Sequence, residues 1–142
     1  MKTSARNQFS GTVSAVRAGA INDEVELEVA GGHRIVATVT RESCMNMHLV
    51  AGVKAFALIK ASSIILMTDC DDVRLSARNQ LKGKVASIAD GAVNTEVVLE
   101  LPGGVAVAAI ITLASARALN LSVGGAVTAI FKASSVILGV AA

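Results

Sequence analysis

The chain has no tryptophan, no tyrosine and only three phenylalanines, Phe9, Phe56 and Phe131. Proteins that hold single-stranded nucleic acid stack bases on aromatic side chains along a basic groove. With a formal charge of only +2 over 142 residues, this chain offers little of either, which argues against nucleic acid as a partner. Long hydrophobic runs are missing too. None approaches the roughly 18 residues that would cross a bilayer, and Met1-Lys2-Thr3-Ser4 leads into polar sequence without the apolar segment of a secretory signal. The expectation is a soluble, cytoplasmic protein with no membrane partner.

What the chain does contain, it contains twice. Ser4-Ala5-Arg6-Asn7-Gln8 returns 72 residues later as Ser76-Ala77-Arg78-Asn79-Gln80, and Lys60-Ala61-Ser62-Ser63 returns at the same spacing as Lys132-Ala133-Ser134-Ser135. The halves align without a gap, and the repeat is longer than a solenoid unit of about 20–50 residues. Two tandem domains are expected, residues 1–70 and 71–142, joined through the acidic stretch around Asp69, Asp71 and Asp72. Domains of that size bury a modest fraction of their surface. Yet 53% of the chain is hydrophobic, so apolar surface shared between copies, and hence an oligomer, is expected.

Within one repeat, Asn7 to Arg17 reads as a strand. From Glu24 to Ala30 apolar Val25, Leu27 and Val29 alternate with Glu24, Glu26 and Glu28, the pattern of a half-buried strand. Gly31-Gly32 makes a hairpin turn into a strand from Arg34 to Val39. Thr40 caps a short helix from Arg41 to about His48. A last strand is expected from Lys54 to Met67, bent at Lys60-Ala61-Ser62-Ser63. The second half repeats the order, with Thr112 capping a helix from Leu113 to Leu119 and a last strand from Ala126 to Val140. The predicted fold class is all-β: two tandem small OB-like β-barrels, each with one short helix.

Duplication also sorts the chemistry. Cys44 and Cys70 align with Ala116 and Ala142, and His33 and His48 align with Val105 and Asn120. A duplicated metal or nucleophilic site would not keep its key groups in one copy only, so all four read as structural or surface residues, the thiols reduced. The polar residues that both copies keep include no His, Cys or Asp. Glu24 and Glu28 recur as Glu96 and Glu100 but lie on a solvated strand face. What remains is cations and hydroxyls: Arg6, Lys60, Thr40 and Ser43, with their equivalents. Thr40 opens a helix and Ser43 stands where a capping box would place Glu or Gln, so a donor replaces an acceptor beside free helix N–H groups. These are parts of a pocket that binds a small, multiply charged oxyanion without transforming it. A plain structural barrel pair stays open on this chemistry alone.

Ser-Ala-Arg-Asn-Gln, Gly-Ala-[Ile/Val]-Asn, Thr-x-x-Ser and Lys-Ala-Ser-Ser-[Ile/Val]-Ile-Leu together resemble the Mop domain of the molbindin family, over both repeats. The resemblance implies a non-catalytic protein that binds molybdate, with tungstate as a surrogate, for intracellular storage, buffering or homeostasis. It implies no cofactor, and a homotrimer whose principal sites lie between subunits. By motif match, Ser4, Arg6, Thr40, Ser43, Lys60 and Ala61 would line one class of site, and Ser76, Arg78, Thr112, Ser115, Lys132 and Ala133 its duplicate. The lysines would supply charge and the alanines backbone N–H. Asn22 and Asn94 are the candidates for a site on a threefold axis. Arg41-Glu42 in the first copy stands against Leu113-Ala114 in the second, so the two classes are expected to differ in affinity. The rival reading is a ligand-sensing regulatory module acting through a protein partner.

Overall fold

In a computed structural model describing residues 1–142, period-two burial builds the strands. The first half supplies β1 (Asn7–Arg17), β2 (Asn22–Val29), β3 (Arg34–Thr40), helix α1 (Arg41–Asn46), β4 (Lys54–Ile59) and the short β5 (Ile65–Met67). The second supplies β6 (Asn79–Asp90), β7 (Asn94–Glu100), β8 (Ala106–Thr112), helix α2 (Leu113–Ala118), β9 (Ala126–Phe131) and the short β10 (Ile137–Gly139). In β2, Val25, Leu27 and Val29 are buried and the intervening glutamates face outward, as their alternation predicts.

The strands form two antiparallel five-stranded sheets, ordered β10-β4-β1-β2-β3 and β5-β9-β6-β7-β8. In each sheet the two edge strands come back beside one another, β3 near β10 and β5 near β8, which gives the nearly closed, OB-like barrel expected. Each long first strand bends at a register shift, between Val13 and Ala15 in β1 and between Val85 and Ser87 in β6. Gly11 is required where β1 passes β2, because a Cβ there would sit 2.1 Å from the Glu28 carbonyl oxygen. Asn7, buried at the start of β1, donates from Nδ2 to the Ile59 carbonyl at 3.2 Å and holds the end of β4.

Two expectations are corrected. The last strand of each half does not merely bend. It breaks at a 3-10 turn, Ala61–Ser63 or Ala133–Ser135, and its second segment joins the sheet of the other half. One compact unit is therefore Met1–Ile59 with Lys132–Ala142, and the other is Lys60–Phe131, in place of 1–70 and 71–142. The turn is closed by Ser63 N–H to Lys60 carbonyl at 2.9 Å, and Ser135 to Lys132 at the same distance. That closure ends the β4 and β9 ladders and frees the following strand to pair elsewhere. The helices are also shorter than expected, ending at Asn46 and Ala118, because His48 and Asn120 take left-handed backbone (φ 53° and 52°) that stops a helix.

Candidate functional site

At each helix start, β3 or β8 delivers a threonine into capping position. Thr40 Oγ1 accepts the Ser43 N–H at 3.1 Å and donates to Ser43 Oγ at 2.8 Å. Thr112 and Ser115 repeat both bonds at the same distances. A hydroxyl carries one proton and two lone pairs. With Thr40 Oγ1 spending its proton on Ser43, the Ser43 proton is the donor left for a ligand, and Ser43 is exposed. Each threonine thus caps the helix and orients a serine O–H outward.

Strand exchange decides which lysine shares a compact unit with which hook. Lys60 and Ala61 belong to the same compact unit as Ser76, Arg78, Thr112 and Ser115, whereas Lys132 and Ala133 belong with Ser4, Arg6, Thr40 and Ser43. The turn Ala61–Ser63 lies against β8, and Ala133–Ser135 against β3. Within one chain this regroups the two sets read from the motifs: the lysine-alanine pairs change places. Both lysines, both arginines and Ser4 and Ser76 are exposed, and Ala61 and Ala133 are buried, consistent with alanines that present only backbone.

In the unit Lys60–Phe131 a cavity of about 570 Å³ opens at the seam between β5 and β8. Ser62, Asn94, Thr112 and Ser115 line it together, with Ile65 and Ile111 on its apolar wall. Asn94 is thereby brought beside the Thr112 hook, and the two are paired in register, as are Asn22 and Thr40. The axial candidates and the principal hooks are neighbours on the barrel. Ser62 is a lining residue that the motif reading left out of the site. Its signal was present, since Lys-Ala-Ser-Ser is duplicated.

The sequence missed a second feature because only one copy has it. Asp23, with a side chain 6% exposed, accepts the Gly19 N–H at 3.0 Å and lies 3.9 Å from Arg41 Nη1, which itself donates to the Gly19 carbonyl at 3.1 Å. The Gly19 N–H, more than the Cys44 thiol and Arg41, holds the Asp23 carboxyl below the usual carboxylate range against the opposing effect of burial. Burial, and then Asp23, push the Cys44 thiol up. In the second copy Thr95 replaces Asp23 and donates to Asp90 Oδ1 at 3.1 Å, and Leu113 replaces Arg41.

Cys44 and Cys70 are free thiols. No group of three or more His, Cys, Asp and Glu side chains is placed to hold a metal ion, and no helix is long and apolar enough to cross a membrane. The hook itself offers hydroxyl donors, which suit an oxyanion, while Lys60, Ala61, Ser76 and Arg78 are not among the residues lining the cavity.

Comparison with known proteins places this arrangement. The crystal structure of the cytoplasmic molybdate-binding protein ModG, grown with molybdate bound, superposes with a TM-score of 0.96 at 48% identity, covering 99% of this chain and 100% of that one. The molybdenum-pterin-binding protein MopA of Rhodobacter capsulatus is 49% identical over 138 residues, 97% of this chain and 52% of MopA. The molybdenum transport protein ModE of Azotobacter vinelandii is 46% identical over 140 residues, 99% of this chain and 52% of ModE. The chain spans about half the length of these curated relatives. The TOBE domain matches residues 3–66 and again 75–138, and with both halves so covered the chain belongs to the TOBE domain family, as a tandem pair of the Mop-like kind.

Proposed function

We propose that this protein binds molybdate, and tungstate in its place, as an intact tetrahedral oxyanion for intracellular storage or buffering, without catalysis. The observation that carries the reading is the duplicated hook: Thr40–Ser43 and Thr112–Ser115 each turn a serine O–H outward beside a Lys-Ala-Ser-Ser turn. Its full likeness to ModG, crystallised with molybdate, supports the ligand. Ser4, Arg6, Thr40, Ser43, Lys132 and Ala133 form one half-site of the chain, and Ser76, Arg78, Thr112, Ser115, Lys60 and Ala61 the other. Asn22 and Asn94 serve a third class of site.

The principal sites are completed between subunits of a homotrimer. Exposed apolar residues recur at equivalent positions, Ile21 with Val93 and Ile65 with Ile137, as expected of surface that a second copy covers. Native mass spectrometry with and without molybdate tests both statements. A trimer that gains a fixed number of intact anions is expected, with sulfate competing poorly. A monomer that binds molybdate tightly would refute the shared site. A ligand-sensing regulatory module acting through a protein partner is the second reading, favoured by the 38% identity over 139 residues to the transcriptional regulator ModE of Yersinia pestis.

A further inference from the structure

We propose that Asp23 and Arg41 are a charge pair that sets the oxyanion affinity of the Thr40–Ser43 hook. The inference rests on the oxyanion reading above and extends it to two residues that do not touch the anion.

Placement argues for this role. Asp23 pairs in register with Val39, the residue before Thr40, and Arg41 follows Thr40 directly. Arg41 backbone N–H also bonds the Ile21 carbonyl at 2.9 Å, so the turn before Asn22 and the start of α1 are tied together. The second copy keeps that backbone bond, Leu113 N–H to Val93 carbonyl at 2.8 Å. It carries neither charge at the matching positions, Thr95 and Leu113, and its nearby carboxylate, Asp90, accepts the Thr95 hydroxyl at 3.1 Å and no arginine. The turn can therefore be held without the ion pair. What the pair adds is one buried negative charge and one half-exposed positive charge beside a hook meant for a dianion. Together they nearly cancel. Singly, each changes the local field by one unit, and a unit charge about 8 Å from a dianion changes affinity by about fivefold even at the dielectric of water.

The test is calorimetric titration of molybdate into the full chain in a Thr112→Val background, where the Thr40–Ser43 hook dominates. Asp23→Asn keeps the shape and the acceptor for Gly19 but releases Arg41, and should tighten binding about fivefold. Arg41→Leu installs the residue of the second copy and exposes the anion to Asp23, and should weaken binding about fivefold. The double variant should return to the parent value. A merely structural clamp would weaken binding in both single variants, and that result, or no change in either, overturns the proposal. Asp23→Thr, the second copy's own residue, repeats the first arm should Asn disturb the turn. Thr40→Val separates the two readings. If it abolishes the remaining binding while the charge variants do nothing, only the charge pair fails. If it leaves binding intact, the oxyanion assignment of this hook fails, and the charge pair with it.

Discussion

Gly139 lies directly against Phe56. The two are register partners across β10 and β4, and a Cβ on residue 139 would sit 2.2 Å from Phe56 Cζ. The equivalent pair in the other sheet is Met67 with Thr128. Large meets small in both, with the sizes reversed. Were each half to keep its own last strand in the same register, Phe56 would face Met67 and Thr128 would face Gly139, one pair crowded and one hollow. The exchanged pairing is thus written into side-chain volume.

Gly139→Met should therefore destabilise the protein by about 1–3 kcal/mol through overpacking. Adding Phe56→Thr, which recreates the Met67–Thr128 pair, should recover much of the loss. Urea unfolding of the two single variants and the double variant measures it, and additive losses would show that the pair is not complementary.

Lys60→Ala and Lys132→Ala should each weaken one class of molybdate site by about 10–150-fold, the range for losing a charge-assisted hydrogen bond of about 1.5–3 kcal/mol. Because the exchange places Lys60 with Thr112, Lys60→Ala and Thr112→Val should be strongly non-additive, while Lys60→Ala and Thr40→Val should be additive. Calorimetry on the double variants decides between this grouping and the one the motifs suggest.

Thr40→Val removes both a cap acceptor and the donor that orients Ser43. It should lower stability by about 1 kcal/mol and abolish one class of anion site, whereas Glu42→Ala on the same turn removes a negative charge and should not weaken anion binding. Thermal unfolding and anion titration of each variant separate the cap from the site.

Asp23 titrates below its unfolded value. A carboxyl depressed on folding adds stability that is complete above the unfolded pKa, near 3.8, and is lost as pH falls through that value toward the folded one. Asp23→Asn should therefore flatten the acid limb of a stability curve below about pH 4 and leave its shape at neutral pH unchanged. Chemical denaturation across pH 2.5–6 checks it, and an unaltered acid limb would mean that Asp23 carries no such linkage.

Local pattern alone determined a good deal. The alternation of Val25, Leu27 and Val29 with glutamates made β2 readable, the 72-residue repeat made two like folds readable, and Thr40-x-x-Ser43 pointed to the hook, because burial period and capping chemistry act over a few residues. The ends of α1 and α2 were not readable, since His48 and Asn120 terminate them by adopting a left-handed conformation that neither residue type demands. Arg41 stood out as a difference between the copies, but its partner Asp23 escaped because a test by duplication discards what one copy lacks. The exchange of β5 and β10 was beyond local pattern altogether. A strand's alternation says which face it buries but not which sheet it joins. The pairing of Phe56 with Gly139 and of Met67 with Thr128 fits that choice, a turn at Lys60 lets the chain leave its own ladder, and both are matters of tertiary packing.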